Sequence, residues 1–252
     1  MNSSLELQTA IEAAQAGEKI ALKYFQTDLE IKTKTDNSIL TIADIETEKV
    51  IKKHITRQFP DATFLAEESG GNTKENNFWI IDPIDGTRLF AKGIPFWSIL
   101  IAHYKNGEIN LGVCSVPGQK RLLVAEKGKG AFLNGKRVNV STQKNVKGAF
   151  GSFGSLHRFK SPDPILKLTK KEAILRSYEH AYALTFLAAG NMDVVIDAYG
   201  TPWDYAPFIS IISEAGGKVT DFEGKPWNLN TKNLVATKGL LHDDVIKIIN
   251  KI

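Results

Sequence analysis

Cysteine is nearly absent: Cys114 stands alone among 252 residues, so no internal disulfide can form, and the composition fits a reducing, cytoplasmic setting. No apolar run approaches the ~20 residues that a membrane span needs. The opening stretch "MNSSLELQTA" has no cationic region leading into an apolar one, so no secretory signal is expected. Charge of one sign is not in great excess. The net charge is +4, and no basic patch is interleaved with aromatics, so neither a nucleic acid nor a membrane is expected as partner. The densest basic stretch, "KLTKK" at 167–171, reads as a solvated face. The five histidines lack the paired spacing of a zinc site. Cys114 lies in the apolar run "LGVCSV" and reads as a small core residue.

What is present is 42% hydrophobic residues, enough for a large core in one domain or two small ones. Ala10, Ile11, Ala14, Gly17, Ala21, Tyr24 and Phe25 recur at helical spacing and predict an amphipathic helix over 5–26. A second helix follows Thr41, which with Asp44 resembles a capping box, and it stops at Pro60. Short apolar runs then alternate with turns, and Asn106-Gly107 and Asn134-Gly135 are hairpin signals, so the middle of the chain predicts an antiparallel sheet. After about Ser141 the pattern predicts a loop, a helix over "LRSYEHAYALTFLAAG", a strand in "MDVVIDAYG", a helix in "WDYAPFISIISEAGG" and a last strand in "KVTDFEG". The expected architecture is layered α+β, with one subdomain over 1–142 and a second over 143–252, packed around a cleft.

Two apparent motifs carry no chemistry. "GAFLNGKR" at 130–137 nearly matches a phosphate loop, but Arg137 stands where Ser or Thr should be and the segment predicts a hairpin. "GSFGS" at 151–155 does not flank a serine as a nucleophile elbow requires. The informative stretch is "FWIIDPIDGTRLF", in which Asp82 and Asp85 fall where a strand should end. Carboxylates on such a turn can converge on hard cations, which prefer oxygen ligands. Gly86 and Thr87 then offer backbone N–H groups where a helix starts, a seat for phosphate. Glu67, Glu68 and Asp204 add acids elsewhere. Taken alone, Glu67 or Asp204 would read as a cap or a surface charge.

"AEES", "WIIDPIDGT" and "WDYAPFISIISEAGG" resemble, in order, the signature blocks of the inositol monophosphatase-type family of magnesium-dependent, lithium-sensitive phosphatases. The likeness spans nearly the whole chain. It implies a layered αβαβα sugar-phosphatase fold, a homodimer, two to three Mg2+ ions and a small phosphorylated alcohol as substrate. Carried over by position, Glu67, Asp82, the carbonyl of Ile84, Asp85 and Asp204 match metal ligands. Glu67 and Thr87, with Asp44 behind, match the groups that hold the attacking water. Asp85, Gly86 and Thr87 match the phosphate seat, and Asp197 matches a substrate contact.

The stretch "RSYEHAYALTFLAAG" departs from the inositol-specific pattern, and its spacing is nearer the histidinol-phosphate phosphatase branch, where Glu179-His180 replaces the usual Gly-Asp. Arg176, Glu179 and His180 are therefore candidate substrate residues, and Arg88 and the Gly-x-Pro-x-Trp element at 93–97 point the same way. Histidinol phosphate is the favoured substrate at this stage and inositol monophosphate the alternative. A protein that kept the fold only for binding would be expected to lack a metal ligand, and Glu67, Asp82, Asp85, Thr87 and Asp204 are all present.

Overall fold

The computed structural model describes residues 3–34, 39–71, 74–178 and 180–250. The chain opens with α1 (Leu5–Tyr24), whose first turn is capped by Ser4 accepting from Leu7 N. Two short strands, β1 (Lys32–Thr33) and β2 (Ile39–Leu40), pair before α2 (Ile42–Gln58). Then come β3 (Phe64–Ala66), β4 (Gly70–Gly71), β5 (Asn77–Asp85), the short α3 (Thr87–Ala91), β6 (Ser98–Lys105), β7 (Glu108–Val116), β8 (Arg121–Glu126), β9 (Gly130–Leu133) and β10 (Lys136–Val138). The second half runs β11 (Phe150–Phe153), α4 (Asp163–Lys170), β12 (Ile174–Ser177), α5 (His180–Ala188), β13 (Val194–Asp197), α6 (Pro202–Glu214), β14 (Gly217–Thr220), β15 (Leu234–Lys238) and α7 (His242–Asn250).

The strands form an eight-stranded sheet, ordered β10-β9-β8-β7-β6-β5-β3-β4, and a five-stranded sheet, ordered β12-β11-β13-β15-β14. From β5 to β10 each neighbour is antiparallel, as the sequence predicts. Both Asn-Gly pairs sit at hairpin turns with positive φ at each central residue, the geometry whose twist matches paired strands. The would-be phosphate loop at 130–137 is the β9–β10 hairpin.

Three buried clusters define the layers. Leu7, Ala10 and Ala14 of α1 and Ile51 and Ile55 of α2 pack on one face of the large sheet, against Trp79, Ile81 and Val113. Leu184 and Leu187 of α5 and Tyr205, Phe208 and Ile211 of α6 lie between the two sheets, touching Leu100 and Leu123 on one side and Val195 and Ala236 on the other. Ile165 and Leu168 of α4 and Val245 and Ile249 of α7 cover the far face of the small sheet. The stack is αβαβα. Close approach of α6 to the large sheet depends on Gly112, where a Cβ would lie 2.1 Å from the Pro207 carbonyl oxygen.

Several elements differ from the sequence reading. The expected loop after Ser141 contains β11 and α4, and "KLTKK" spans the end of α4 and its C-cap, with Lys170 and Lys171 exposed, Lys167 half-buried and Leu168 buried. The helix expected from Leu175 starts only at His180, because Ile174–Ser177 is an edge strand parallel to β11. β15 and α7 lie where no element was expected. Among the described residues, no helix is long and apolar enough to cross a membrane.

Candidate active site

β5 is where backbone geometry makes the site. Along this strand Phe78 and Ile80 face α6, whereas Trp79 and Ile81 face α1 and α2. By that alternation Asp82 points towards α6 and Asp85, three residues on, would point away. The pairing with β6 prevents this: Asp82 opposes Leu100 and Asp85 opposes Ser98, so two residues of β5 stand opposite Ile99 alone. This extra residue is a bulge, and it resets the alternation so that Ile84 joins the α1–α2 core while Asp85 returns to the α6 side. Pro83 sits in the bulge, where a ladder donor is dispensable. The expectation of a strand that ends at Asp82 and gives way to a turn is corrected accordingly, since the strand continues through Asp85.

Asp204 arrives from α6, whose first turn it closes by accepting from Thr201 N at 2.7 Å. One carboxylate oxygen from each of Asp82, Asp85 and Asp204 lies within 4.8 Å of the others. Asp82 is only 1% exposed. Burial foremost, then Glu67, Asp85 and Asp204, push its pKa well above the ordinary carboxylate range. Glu67 stands at the end of β3, its N–H donated to Ile81 O at 3.1 Å. Burial raises its pKa to about 7, with Glu68 and Asp204 adding to the shift and Lys34 opposing it. Asp85 accepts from Ser98 Oγ at 3.0 Å.

Gly86 takes φ +86, and a Cβ there would lie 3.0 Å from Phe96 O, so glycine is required between Asp85 and Thr87. α3 then runs only five residues. Thr87 Oγ1 is within donating distance of Asp44 Oδ1 (3.2 Å) and Ile84 O (3.0 Å). Asp44 is fully buried and serves two elements. Its Oδ2 accepts from Thr41 N and Thr41 Oγ1, both at 2.7 Å, closing the predicted capping box of α2, and its Oδ1 faces Thr87. Burial raises the Asp44 pKa, against these hydrogen bonds.

The other sequence candidates lie differently. Asp197, read as a substrate contact, is fully buried at the end of β13, and its Oδ2 accepts from the Tyr205 hydroxyl at 2.9 Å. It supports α6 one residue from Asp204. Arg176 is exposed on edge strand β12, its Nη1 donating to Leu175 O. His180 begins α5. Glu179 lies outside the described residues. Sequence reading missed Lys34, whose ammonium lies 3.1 Å from Glu67 and 2.7 Å from Glu68, and Glu48, which accepts from Glu68 N at 2.9 Å. Neither has a local signature, because each pairs with residues 20 or more positions away.

The model of the inositol monophosphatase family matches residues 3–252. A fructose-1,6-bisphosphatase/inositol-1-monophosphatase of Thermotoga maritima is 41% identical over 216 residues, covering 85% of this chain and 83% of that protein. A histidinol-phosphatase of Chlorobaculum parvum is 33% identical over 249 residues, covering 97% and 96%. Among solved structures, an IMPase of Thermotoga maritima superposes with a TM-score of 0.90 at 36% identity, covering 97% of this chain and 96% of that one.

Proposed function

The chain belongs to the inositol monophosphatase family, and from that premise we propose that it is a magnesium-dependent phosphate monoesterase acting on a small polyol or alcohol phosphate. The observation that carries this reading is the cluster of Asp82, Asp85 and Asp204, drawn from two elements by a strand bulge and a helix start. The donor set fits the metal: it is all oxygen, as a hard cation requires. Its buried carboxylates also need a counter-charge that Lys34, bound to Glu67 and Glu68, does not bring to Asp82. Glu67, Asp82, Asp85, Asp204 and the Ile84 carbonyl would hold two to three ions. When bound, magnesium supplies Lewis-acid charge that acidifies water and screens the phosphoryl oxygens.

The chain's own groups do the positioning. Asp44 Oδ1 accepts a hydrogen bond from the Thr87 hydroxyl, leaving the Thr87 oxygen lone pairs to accept from the attacking water. Glu67, across the cluster, orients the same water. The backbone N–H groups of Gly86 and Thr87 bind the phosphoryl group. Asp197 acts through Tyr205 by holding the start of α6, and hence Asp204, in place.

For the substrate's far end, a polyol phosphate is favoured over histidinol phosphate. One of the two acids that an ammonium and an imidazole would need, Asp197, is buried and already engaged by Tyr205. Histidinol phosphate stays as the second reading because a relative carrying that name aligns with 97% of the chain. The test is phosphate release from inositol 1-phosphate, a sugar phosphate and histidinol phosphate, with magnesium and with chelator. Magnesium-dependent release with inositol 1-phosphate ahead is the expected result. Equal release in chelator would overturn the metal reading, and a tenfold lead for histidinol phosphate would reverse the substrate order.

A further inference from the structure

The turn that carries Glu67 has few backbone bonds of its own. Glu67, Glu68 and Ser69 form the tip of a hairpin closed by the residue pairs Leu65–Gly71 and Ala66–Gly70. β4 is the edge of the large sheet and two residues long. So short a hairpin is marginal in water without support. β5 adds a bond from Glu67 N to Ile81 O.

Further support comes from α2. Glu48 is 4% exposed, and its Oε2 accepts from Glu68 N at 2.9 Å. Its Oε1 lies 3.0 Å from the Lys52 ammonium, one turn along the helix. Lys52 in turn donates to Ser69 Oγ and lies over the Phe64 ring of β3. Two consecutive residues of the turn are thereby tied to side chains four apart on one helix face. A carboxylate suits this position. A charged acceptor holds a backbone N–H more firmly than a neutral one. Its second oxygen also balances Lys52, whereas an amide would turn an NH2 donor towards that ammonium.

Asp44 lies four residues before Glu48, on the same face of α2. From there its Oδ1 accepts from Thr87, just past the end of β5. One helix face thus holds both groups that orient the attacking water, Thr87 through Asp44 and the Glu67 turn through Glu48. The phosphate seat at Gly86 and Thr87 is on a different segment, the start of α3. We propose that Glu48 is a positioning residue, which fixes Glu67 relative to Thr87 by tying its turn to α2. The inference rests on the phosphomonoesterase reading above and adds to it a residue that touches neither metal nor substrate. Without the tie Glu67 drifts, so magnesium binding and turnover suffer while substrate affinity does not.

The test compares wild type with Glu48→Ala and Glu48→Gln, the second keeping an acceptor for Glu68 N. In metal-free protein the Glu68 amide of Glu48→Ala should exchange with deuterium about tenfold faster, the scale of one lost charge-assisted hydrogen bond. Activity is then measured with whichever of the three esters above the wild type hydrolyses fastest. In Glu48→Ala the magnesium concentration for half-maximal rate should rise about tenfold, and kcat at saturating magnesium should fall by about the same factor. KM at saturating magnesium should not move, and Glu48→Gln should fall between wild type and Glu48→Ala in each altered measure. If thermal midpoints show that Glu48→Ala does not fold, Glu48→Gln carries the comparison, and its identity with wild type overturns the proposal. An unchanged kcat and magnesium requirement in folded Glu48→Ala also overturns it, and so does a loss that appears in KM. If the wild type hydrolyses none of the esters, the phosphomonoesterase reading fails, and calorimetric titration with magnesium decides. Weaker magnesium binding by the variants supports the positioning of Glu67, and equal binding, or none by wild type, overturns it.

Discussion

Asp85 shows how little side chain separates structure from chemistry at the proposed site. Its carboxylate is one of three whose oxygens lie within 4.8 Å of one another, and Ser98 Oγ donates to it at 3.0 Å. Asp85→Asn keeps the shape and removes the charge. We expect turnover to fall at least ~100-fold, the scale for losing a charge-stabilising group at a reaction centre, with little change in thermal midpoint. Activity near wild type would remove Asp85 from the site. Glu67 makes a second prediction, about pH. Its folded pKa is about 7 without metal, raised by burial from an ordinary 4.5. Between those values the metal-free folded state holds a proton that the unfolded state has released. This contribution to stability is full below pH 4.5 and is lost as pH rises through 7. Magnesium supplies the missing charge, so its stabilising effect should grow over the same range as proton competition fades. Thermal midpoints with and without magnesium at pH 5, 6, 7 and 8 would show a widening gap. A gap independent of pH would count against Glu67 as a ligand.

At the scale of the element, the site depends on the single extra residue in β5. Asp82 and Asp85 face α6 together only because two residues of β5 oppose one of β6. Inserting one alanine into β6 beside Ile99 would place two residues on each strand between the Asp82–Leu100 and Asp85–Ser98 pairs and, by strict alternation, send Asp85 to the α1–α2 side. The sheet can then still form, but magnesium should no longer raise the thermal midpoint. Pro83→Ala keeps the residue count and should keep the response to magnesium. The idea is sunk if the insertion variant binds magnesium as well as wild type. α6 is the partner element, and it reaches the sheet because β7 offers no Cβ at Gly112 beneath Pro207. The Asp197–Tyr205 hydrogen bond then fixes the other side of its first turn.

For the whole molecule, each half contains a buried neutral imidazole away from the acidic cluster. His103 on β6 stacks on Trp79 at 4.4 Å and pairs through Nε2 with Asn77 Oδ1 at 2.6 Å. His242 at the start of α7 pairs with Thr220 at 2.8 Å and Thr237 at 3.0 Å. Burial lowers both pKa values to about 4 from an ordinary 6.5. The folded state therefore binds fewer protons than the unfolded one between these values. The stability they contribute is full above pH 6.5 and is lost as pH falls towards 4. With magnesium saturating, so that Glu67 no longer titrates, the thermal midpoint should drop steadily from pH 6.5 to 5. His242→Gln should show a shallower drop. An identical slope in the variant would mean that His242 does not drive the acid sensitivity.

Sequence alone determined the elements whose signal is local. α1 and α2 followed from helical spacing and the Thr41–Asp44 cap, the two hairpins from Asn-Gly pairs, and the acidic positions from three short blocks. It did not reveal β11, α4 and β12, which are short and interrupted by Gly, Pro and Lys, nor β15 and α7, which become stable only when packed against neighbours distant in the chain. The tertiary structure decided which residues meet. No periodicity in "DPID" states that β6 will run one residue short beside it, yet that mismatch turns Asp82 and Asp85 to one side. Nothing in "VVIDAYG" states that Asp197 will be sealed under Tyr205 while Tyr199, two residues on, stands open between Arg158 and Lys232. Side-chain direction in a strand is set by pairing with its neighbour, and burial by the layers that close over it, so both properties belong to the assembled chain.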